Sequence, residues 1–315
     1  MRYQRLLVPV LVGMLCLVVA RAQTPSSARK SFQQGQKSYE AGNLDGAFED
    51  FSKAIQISSH LKASDASTSS DGANAFDSRR NDSEVTVIDP FTALAYTNRG
   101  IVRLKQNDLV GALRDFDAAI RISPRLAEAY VGRGVANRLS DRLDAAIDDL
   151  DRAVSLDPKS GSAYTDRADA RIEKGDITGA LQDLNRAMEI NPRAPETLYQ
   201  LGYALMLSGD LPSAIRTFDR AIETKPDLAG AYHGRGTARM KLGDLDRALR
   251  DFNRALELDS ELPRTYLNRG LLLLLKGNEA DAQKDFDRCL DLNPGLRSEL
   301  TRRMEMAKQM RATQL

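Results

Sequence analysis

Apolar residues of fixed size recur along this chain at a constant interval. Alanines stand 34 residues apart at positions 112, 146, 180, 214, 248 and 282, and prolines at 90, 124, 158, 192 and 226 keep that interval. A Phe or Leu follows each of these alanines by four residues. Such a period predicts an array of one repeated unit, whose neighbours must stack to bury their apolar faces.

Each period also carries two kinds of helix-ending signal. Its middle holds a residue type that tolerates the left-handed conformation, which stops a helix: Gly42, Asn107, Asp141, Gly175, Gly209, Gly243 and Gly277. An Asn or Asp that can cap a second helix follows in most periods, and the prolines mark where second helices have ended. The unit is therefore predicted to be a pair of helices joined by a short turn.

The 34-residue unit resembles the tetratricopeptide repeat in its period and in its glycine and alanine positions. Repeat 1 spans residues 28–61, and repeats 2 to 7 span residues 93–296 and begin at 93, 127, 161, 195, 229 and 263. The resemblance implies an all-α, right-handed superhelical solenoid whose concave groove is lined by the first helices. Residues 297–315 resemble the extra capping helix of such arrays, because Leu296, Leu300, Met304 and Ala307 share one helical face.

Two segments fall outside the periodic array. Residues 1–22 combine Arg2 and Arg5, a short apolar run and the small residues Ala20 and Ala22, which is typical of a secretory signal peptide. A membrane anchor is the alternative, but the apolar run is shorter than the ~20 residues of a spanning helix. Residues 62–92 are expected to form a disordered insertion or linker. We therefore expect a periplasmic or secreted protein.

An arginine recurs at position 7 of five repeats, and an aspartate recurs at position 23 of the same repeats. Repeat 5 has lost both members together, to Leu201 and Thr217. Joint loss suggests that the two residues meet, so we hypothesise structural ion pairs. A row of ligand-binding arginines is the alternative. The pairs are Arg99 with Asp115, Arg133 with Asp149, Arg167 with Asp183, Arg235 with Asp251, and Arg269 with Asp285.

Composition and motifs give little support to catalysis or nucleic-acid binding. The net charge of +1 is too balanced for a typical nucleic-acid binder. The sequence has two histidines and no nucleotide loop, metal-ligand spacing or nucleophile motif. Cys289 stands in an alanine position, which predicts a buried small residue. We expect no enzyme activity, catalytic residue, metal or other cofactor, and no stable membrane insertion after signal cleavage.

The resemblance places positions 2, 5, 6, 9, 12 and 13 of each repeat in the groove. Acidic residues at these positions in repeat 4, next to tyrosines in repeat 5, suggest a site for a basic peptide. The alternative is that some of these side chains only pack against the next repeat. The candidate peptide-binding residues are Asp166, Asp169, Glu173, Tyr199, Gln200, Tyr203, Met206, His233 and Asn268.

The function expected from these features is an exported scaffold or adaptor that binds a protein or peptide, in assembly or regulation of the cell envelope. One alternative is an accessory subunit that presents substrates to an envelope protease or a peptidoglycan enzyme. A second alternative is an enzyme whose active site has no sequence motif. The partner and the oligomeric state do not follow from the sequence.

Overall fold

The computed structural model describes residues 24–67 and 90–312 of the chain. These residues contain fifteen α-helices, a short 3-10 turn at Pro294–Leu296 and no β-strand. The helices are α1 Ser26–Glu40, α2 Leu44–Ser67, α3 Pro90–Lys105, α4 Leu109–Ile122, α5 Ala127–Leu139, α6 Leu143–Leu156, α7 Gly161–Lys174, α8 Ile177–Ile190, α9 Pro195–Ser208, α10 Leu211–Thr224, α11 Ala229–Lys241, α12 Leu245–Leu258, α13 Pro263–Leu275, α14 Glu279–Leu292 and α15 Arg297–Ala312. The all-α architecture expected from the period is confirmed.

The chain divides into two compact bodies, Met1–Lys174 and Gly175–Leu315. In the N-terminal body, each helix from α1 to α7 packs against the next one, and the first helices α3, α5 and α7 also contact their neighbours. In the C-terminal body, α8 to α14 pack in sequence in the same way, and α15 packs against α13. Within each body the order of packing is that of stacked helix pairs.

The turn between the two helices of a repeat follows the predicted chemistry. All seven predicted helix-ending residues have positive φ, and these include the two non-glycine cases, Asn107 at 63° and Asp141 at 59°. Asparagine and aspartate tolerate this conformation better than other non-glycine residues. The next residue caps the second helix in most repeats: Asp108, for example, accepts a hydrogen bond from the backbone N–H of Gly111 at 2.9 Å.

Alternation of small and large residues determines how closely the two helices of a hairpin approach. The alanines at position 20 are all buried, with at most 1% of their surface exposed. At position 8, a Cβ built on Gly270 would lie 2.5 Å from Phe286, the large residue of the opposite helix. The glycine therefore gives the room that the phenylalanine ring fills. Cys289 is fully buried in this core, at its alanine position.

The ends of the array differ in detail from the predicted boundaries. Helix α2 continues to Ser67, into the stretch 62–67 that we assigned to the insertion, because this stretch has no Gly or Pro to end it. Helix α3 begins at Pro90, three residues ahead of the predicted repeat, since proline is accepted in a first helical turn. The predicted signal peptide and most of the predicted insertion lie outside the described residues.

Candidate functional site

The position-7 arginines contact the position-23 aspartates of their own hairpins. Arg99 donates from Nη2 to Asp115 Oδ1 at 2.7 Å and from Nε to Asp115 Oδ2 at 3.0 Å, which is a two-point contact. Four of the predicted pairs are present as hydrogen-bonded ion pairs: Arg99 with Asp115, Arg133 with Asp149, Arg235 with Asp251, and Arg269 with Asp285. The pairing of Arg167 with Asp183 stays a prediction. Each pair joins the two helices of one hairpin.

Each of these arginines also contacts the preceding hairpin, which the sequence analysis did not anticipate. Arg235 Nη1 donates to Asp219 Oδ1 at 2.6 Å, and Arg167 Nη1 donates to Asp151 Oδ1 at 2.6 Å. We call the contact between position 7 and position 25 of the preceding repeat the arginine bridge. Its acceptors are Ser52 for Arg99, Asp117 for Arg133, Asp151 for Arg167, Asp219 for Arg235 and Asn253 for Arg269.

A tyrosine at position 4 completes the surroundings of each of the five arginines. The guanidinium carbons lie 5.3 to 5.6 Å from the centroids of these rings, within the range of cation–π attraction. The rings are Tyr96, Tyr130, Tyr164, Tyr232 and Tyr266. Each of the five arginines has an acceptor on the preceding repeat and an aromatic face beside it, and four of them are also bonded to the aspartate of their own hairpin, so these arginines serve helix packing. This geometry favours the structural interpretation over a row of ligand-binding groups.

The acidic groove residues of repeat 4 lie on α7 near an arginine of α5. Arg138 Nη1 donates to Glu173 Oε1 at 2.7 Å, and only 10% of the Arg138 side chain is exposed. Burial raises the pKa of Asp169 to about 7, although the positive charge of Arg138 opposes this shift. Burial likewise raises the pKa of Asp166 to about 6. The charges of three carboxyl groups thus act on one guanidinium between α5 and α7.

The groove residues of repeat 5 lie on α9, with different degrees of burial. Tyr199, Gln200 and Tyr203 are partly buried, and the two tyrosines pack against the core around Phe218. The ring centroids of Tyr199 and Phe218 are 6.1 Å apart. Met206 lies inside this core with 8% of its surface exposed, so it is not available to a partner. Its neighbour Leu207 is the exposed apolar residue, at 42%.

The remaining two candidates lie in a polar network around α13 and α15. His233 Nδ1 is 2.8 Å from Thr265 Oγ1, and its ring lies 6.0 Å from that of Phe252. Burial lowers the pKa of His233 to about 4, and the positive charges of Arg264 and Arg303 lower it further. This candidate peptide-binding residue is therefore half-buried and hydrogen-bonded within the protein.

Asn268 is 6% exposed and is held from two sides. Its amide nitrogen donates to Thr237 Oγ1 at 3.1 Å, and its amide oxygen accepts from Arg303 Nη2 of α15 at 3.0 Å. Leu300 of the same helix is buried against this end of the array. The capping helix therefore covers the last of the predicted groove positions.

Sequence reasoning missed two sets of residues for different reasons. The acceptors of the arginine bridges follow the 34-residue period at position 25, so an inspection of all polar columns of the repeat can find them. Arg303 lies outside the periodic array, and no repeat position marks its contact with Asn268. Within the described part of the chain, no group of three or more His, Cys, Asp or Glu side chains is placed to hold a metal ion.

Comparison with solved structures shows the fold. A tetratricopeptide repeat protein from Parabacteroides merdae superposes with a TM-score of 0.62 at 16% identity, over 90% of this chain and 100% of that one. The Cut9–Hcn1 hetero-tetramer of APC/C gives a TM-score of 0.63 at 19% identity, over 90% of this chain and 53% of that one. PilF of Pseudomonas aeruginosa gives 0.57 at 16% identity, over 64% of this chain and 92% of that one.

Comparison with protein families identifies the repeat itself. A family model described as TPR repeat matches residues 168–209 and 236–277. Two models described as tetratricopeptide repeat match residues 97–161, and residues 195–228 and 263–296. A search of curated proteins finds no match to this sequence. Together with the stacked helix pairs, the family matches show that this chain belongs to the tetratricopeptide repeat family.

Proposed function

We propose that this protein is an exported scaffold that binds a protein or peptide through the inner faces of its first helices. Tetratricopeptide repeats support a role in protein–protein interaction. One observation supports the first helices as the binding surface. The repeating arginines are engaged in contacts between helices, whereas partly exposed polar and aromatic side chains on α7 and α9 vary from repeat to repeat. Variation on a constant framework is what partner recognition requires.

The charges on α7 support a basic partner segment for the N-terminal body. Asp166 and Glu173 are close enough to Asp169 for their negative charges to raise its pKa, so the three carboxylates repel one another when they are ionised. A lysine or arginine of a partner that enters this surface gains charge-assisted hydrogen bonds and lowers the repulsion among the carboxylates.

The side chains on α9 support aromatic and apolar contacts in the C-terminal body. Tyr199 and Tyr203 are supported from behind by the core around Phe218, so their rings are held in place before binding. Rigid tyrosines cost little conformational entropy when a partner packs on them, and this makes them effective contact residues.

The proposal is tested with the purified full chain and two labelled peptides of equal length, one rich in lysine and one rich in glutamate. Fluorescence anisotropy at pH 8, where the Asp169 carboxyl is ionised, should show tighter binding of the basic peptide, and Asp169→Asn should weaken it about tenfold, which is ~1.4 kcal/mol. Arg254→Ala is the matched control, because Arg254 pairs with Glu257 on the exposed face of α12. Equal binding of both peptides, or equal loss in the control, would contradict the proposed surface.

We also propose that the protein works in the periplasm or outside the cell, in assembly or regulation of envelope proteins. The support is the sequence of residues 1–22, which has the order of a signal peptide. Among the described residues, no helix is long and apolar enough to cross a membrane. N-terminal sequencing of the protein from the envelope fraction should start at Gln23. Recovery of an uncleaved chain from the cytosol would refute the proposed location.

A further inference from the structure

An apolar strip runs along one side of α9 towards the C-terminal end of the helix. Tyr199, Tyr203 and Leu207 follow one another at intervals of four residues, so they share one side of α9 over about 12 Å. The two tyrosines are partly buried, whereas Leu207 is exposed. The strip therefore becomes more accessible towards the turn that leads from α9 to α10.

The next first helix, α11, adds a second exposed leucine at the same end. Helices α9 and α11 pack against each other, and as first helices of successive hairpins they run in the same direction. Near their N-terminal ends, a Cβ built on Gly230 of α11 would lie 3.2 Å from Cε2 of Tyr199. At the other end, Leu242 directly follows the last residue of α11 and is 53% exposed. Leu207 and Leu242 thus stand at the same end of two adjacent helices.

This end of repeats 5 and 6 is apolar at positions that carry an ion pair elsewhere in the array. At other junctions a lysine at position 14 pairs with an aspartate at position 18 of the preceding repeat. Two such pairs are Lys174 with Asp144, and Lys276 with Asp246. Leu242 and Pro212 hold these positions in repeats 6 and 5, and both are exposed. We call Tyr203, Leu207, Pro212 and Leu242 the apolar edge.

We propose that the apolar edge binds one side of an amphipathic α-helix of a partner protein, with an acidic residue of that helix placed at Lys241. The inference rests on the function proposed above and adds the kind of segment that is bound. Backbone N–H and C=O groups lose free energy when they are buried against apolar side chains without hydrogen bonds. A helix bonds these groups internally, and its apolar residues recur at intervals of three and four, which match the strip on α9.

The charges beside the apolar edge favour an acidic residue in the partner. Lys241 is exposed and directly precedes Leu242. Acidic groups of the two neighbouring turns have partners within the chain: Asp210 accepts from the N–H of Ser213, Asp244 pairs with Arg247, and Asp246 pairs with Lys276. A carboxylate of the partner that reaches Lys241 therefore gains an attraction, while the apolar side chains provide the contact area.

Fluorescence anisotropy of the full chain with labelled synthetic peptides tests the proposal. The probe is a helical peptide of about four turns with leucines on one face and glutamates on the other, and a shuffled peptide of the same composition spreads the leucines over all faces. The first peptide should bind about tenfold more tightly than the second. Leu207→Ser/Leu242→Ser should weaken its binding about tenfold. Val110→Ser is the matched control, because Val110 is an apolar residue in the first turn of α4 that is 62% exposed.

A charge reversal tests the position of the acidic residue. Lys241→Glu should weaken binding of the glutamate peptide several-fold and strengthen binding of the same helix with lysines in place of its glutamates. Equal binding of the ordered and shuffled peptides, or an equal loss in Val110→Ser, would overturn the proposal. A wild-type dimer in sedimentation that Leu242→Ser dissociates would overturn it as well, because a second copy of the chain would then be the occupant.

The two proposed surfaces can fail separately. Binding of the leucine peptide at the apolar edge without binding of the lysine-rich peptide at α7 would refute the basic-partner surface alone. The reverse result would refute the apolar edge alone.

Discussion

Arg303 in the C-terminal helix donates a hydrogen bond of 3.0 Å to Asn268, a residue that the repeat pattern places in the groove. Asn268 is also bound to Thr237 and is almost fully buried. Arg264, on the same helix as Asn268, forms an ion pair of 3.2 Å with Glu299 of α15. The C-terminal helix α15 therefore covers α13, the first helix of repeat 7. Partner contacts are expected on earlier repeats.

Leu300→Ala is expected to lower the free energy of unfolding by about 2 to 5 kcal/mol, because it leaves a cavity where the capping helix covers the core. Leu300 is 3% exposed. Met306→Ala is the matched control on the same helix, since Met306 is 56% exposed and its loss should change stability by at most ~0.5 kcal/mol. Urea denaturation followed by circular dichroism measures both. Similar values for the two variants would mean that α15 is not a cover.

Arg235→Ala is expected to lower the free energy of unfolding by about 3 kcal/mol. The substitution removes a partner from Asp251, a carboxylate that is 3% exposed. Arg239 also bonds to Asp251 at 2.7 Å, so the Asp251 charge keeps one positive partner in this variant. Arg254→Ala, at an exposed pair with Glu257, should cost less than ~1 kcal/mol. Thermal and denaturant unfolding compare the two. A loss for Arg235→Ala as small as that of the control would contradict the structural role of the ion pair.

His233 is expected to stay neutral in the folded protein down to about pH 5, because burial lowers its pKa to about 4. The unfolded chain binds a proton near pH 6.5, so it takes up more protons than the folded protein between these values. The contribution of His233 to stability is therefore complete above pH 6.5 and is lost as the pH falls towards 4. NMR titration of its ring protons in native and urea-unfolded protein measures both pKa values. Coincident titration near pH 6.5 would show that the ring is not buried.

Asp169 is expected to give the opposite pH dependence. Burial raises its pKa to about 7, so the folded protein holds a proton that the unfolded chain has released. The penalty for burying the charge grows as the pH rises from about 4, the ordinary pKa of an aspartate, to about 7, and it is constant at higher pH. Asp169→Asn should therefore become stabilising relative to wild type with increasing pH, by at most ~1.4 kcal/mol for each pH unit. Asp144→Asn, at a carboxylate that is 84% exposed, is the control and should show no such trend. A flat difference between Asp169→Asn and wild type from pH 5 to 7 would refute the shifted pKa.

The helix pairs were predictable from the sequence because seven repeats have residues of the same size and type at the same packing positions. Alanine at position 20, a large residue at position 24 and a turn residue such as Asn107 or Gly209 recur in register, so each copy supports the others. Repeat 5 has Leu201 and Thr217 in place of the arginine and the aspartate, and this joint replacement likewise predicts that the two positions are in contact. Such comparisons work only for positions that the period repeats.

The candidate site was less predictable, because its properties depend on burial and on residues outside the period. Position 12 was expected in the groove, yet Met206 lies in the core because α9 packs that side against its neighbours. The lowered pKa of His233 arises from burial and from Arg264 and Arg303, and Arg303 belongs to the capping helix. The spacing of the repeats predicts neither how deeply a side chain is buried nor its contacts with a helix outside the array.

The amide of Asn185 has a consequence for how the number of repeats can change. Loss of residues 195–228 as one block would place α11 directly after α8, with Arg235 opposite Asn185. The same pair of residue types already joins Arg269 to Asn253. Deletion of this whole repeat would therefore keep the residue types of this contact at the new junction. The reach of such a molecule can change over evolution by steps of one repeat, without redesign of the parts that remain.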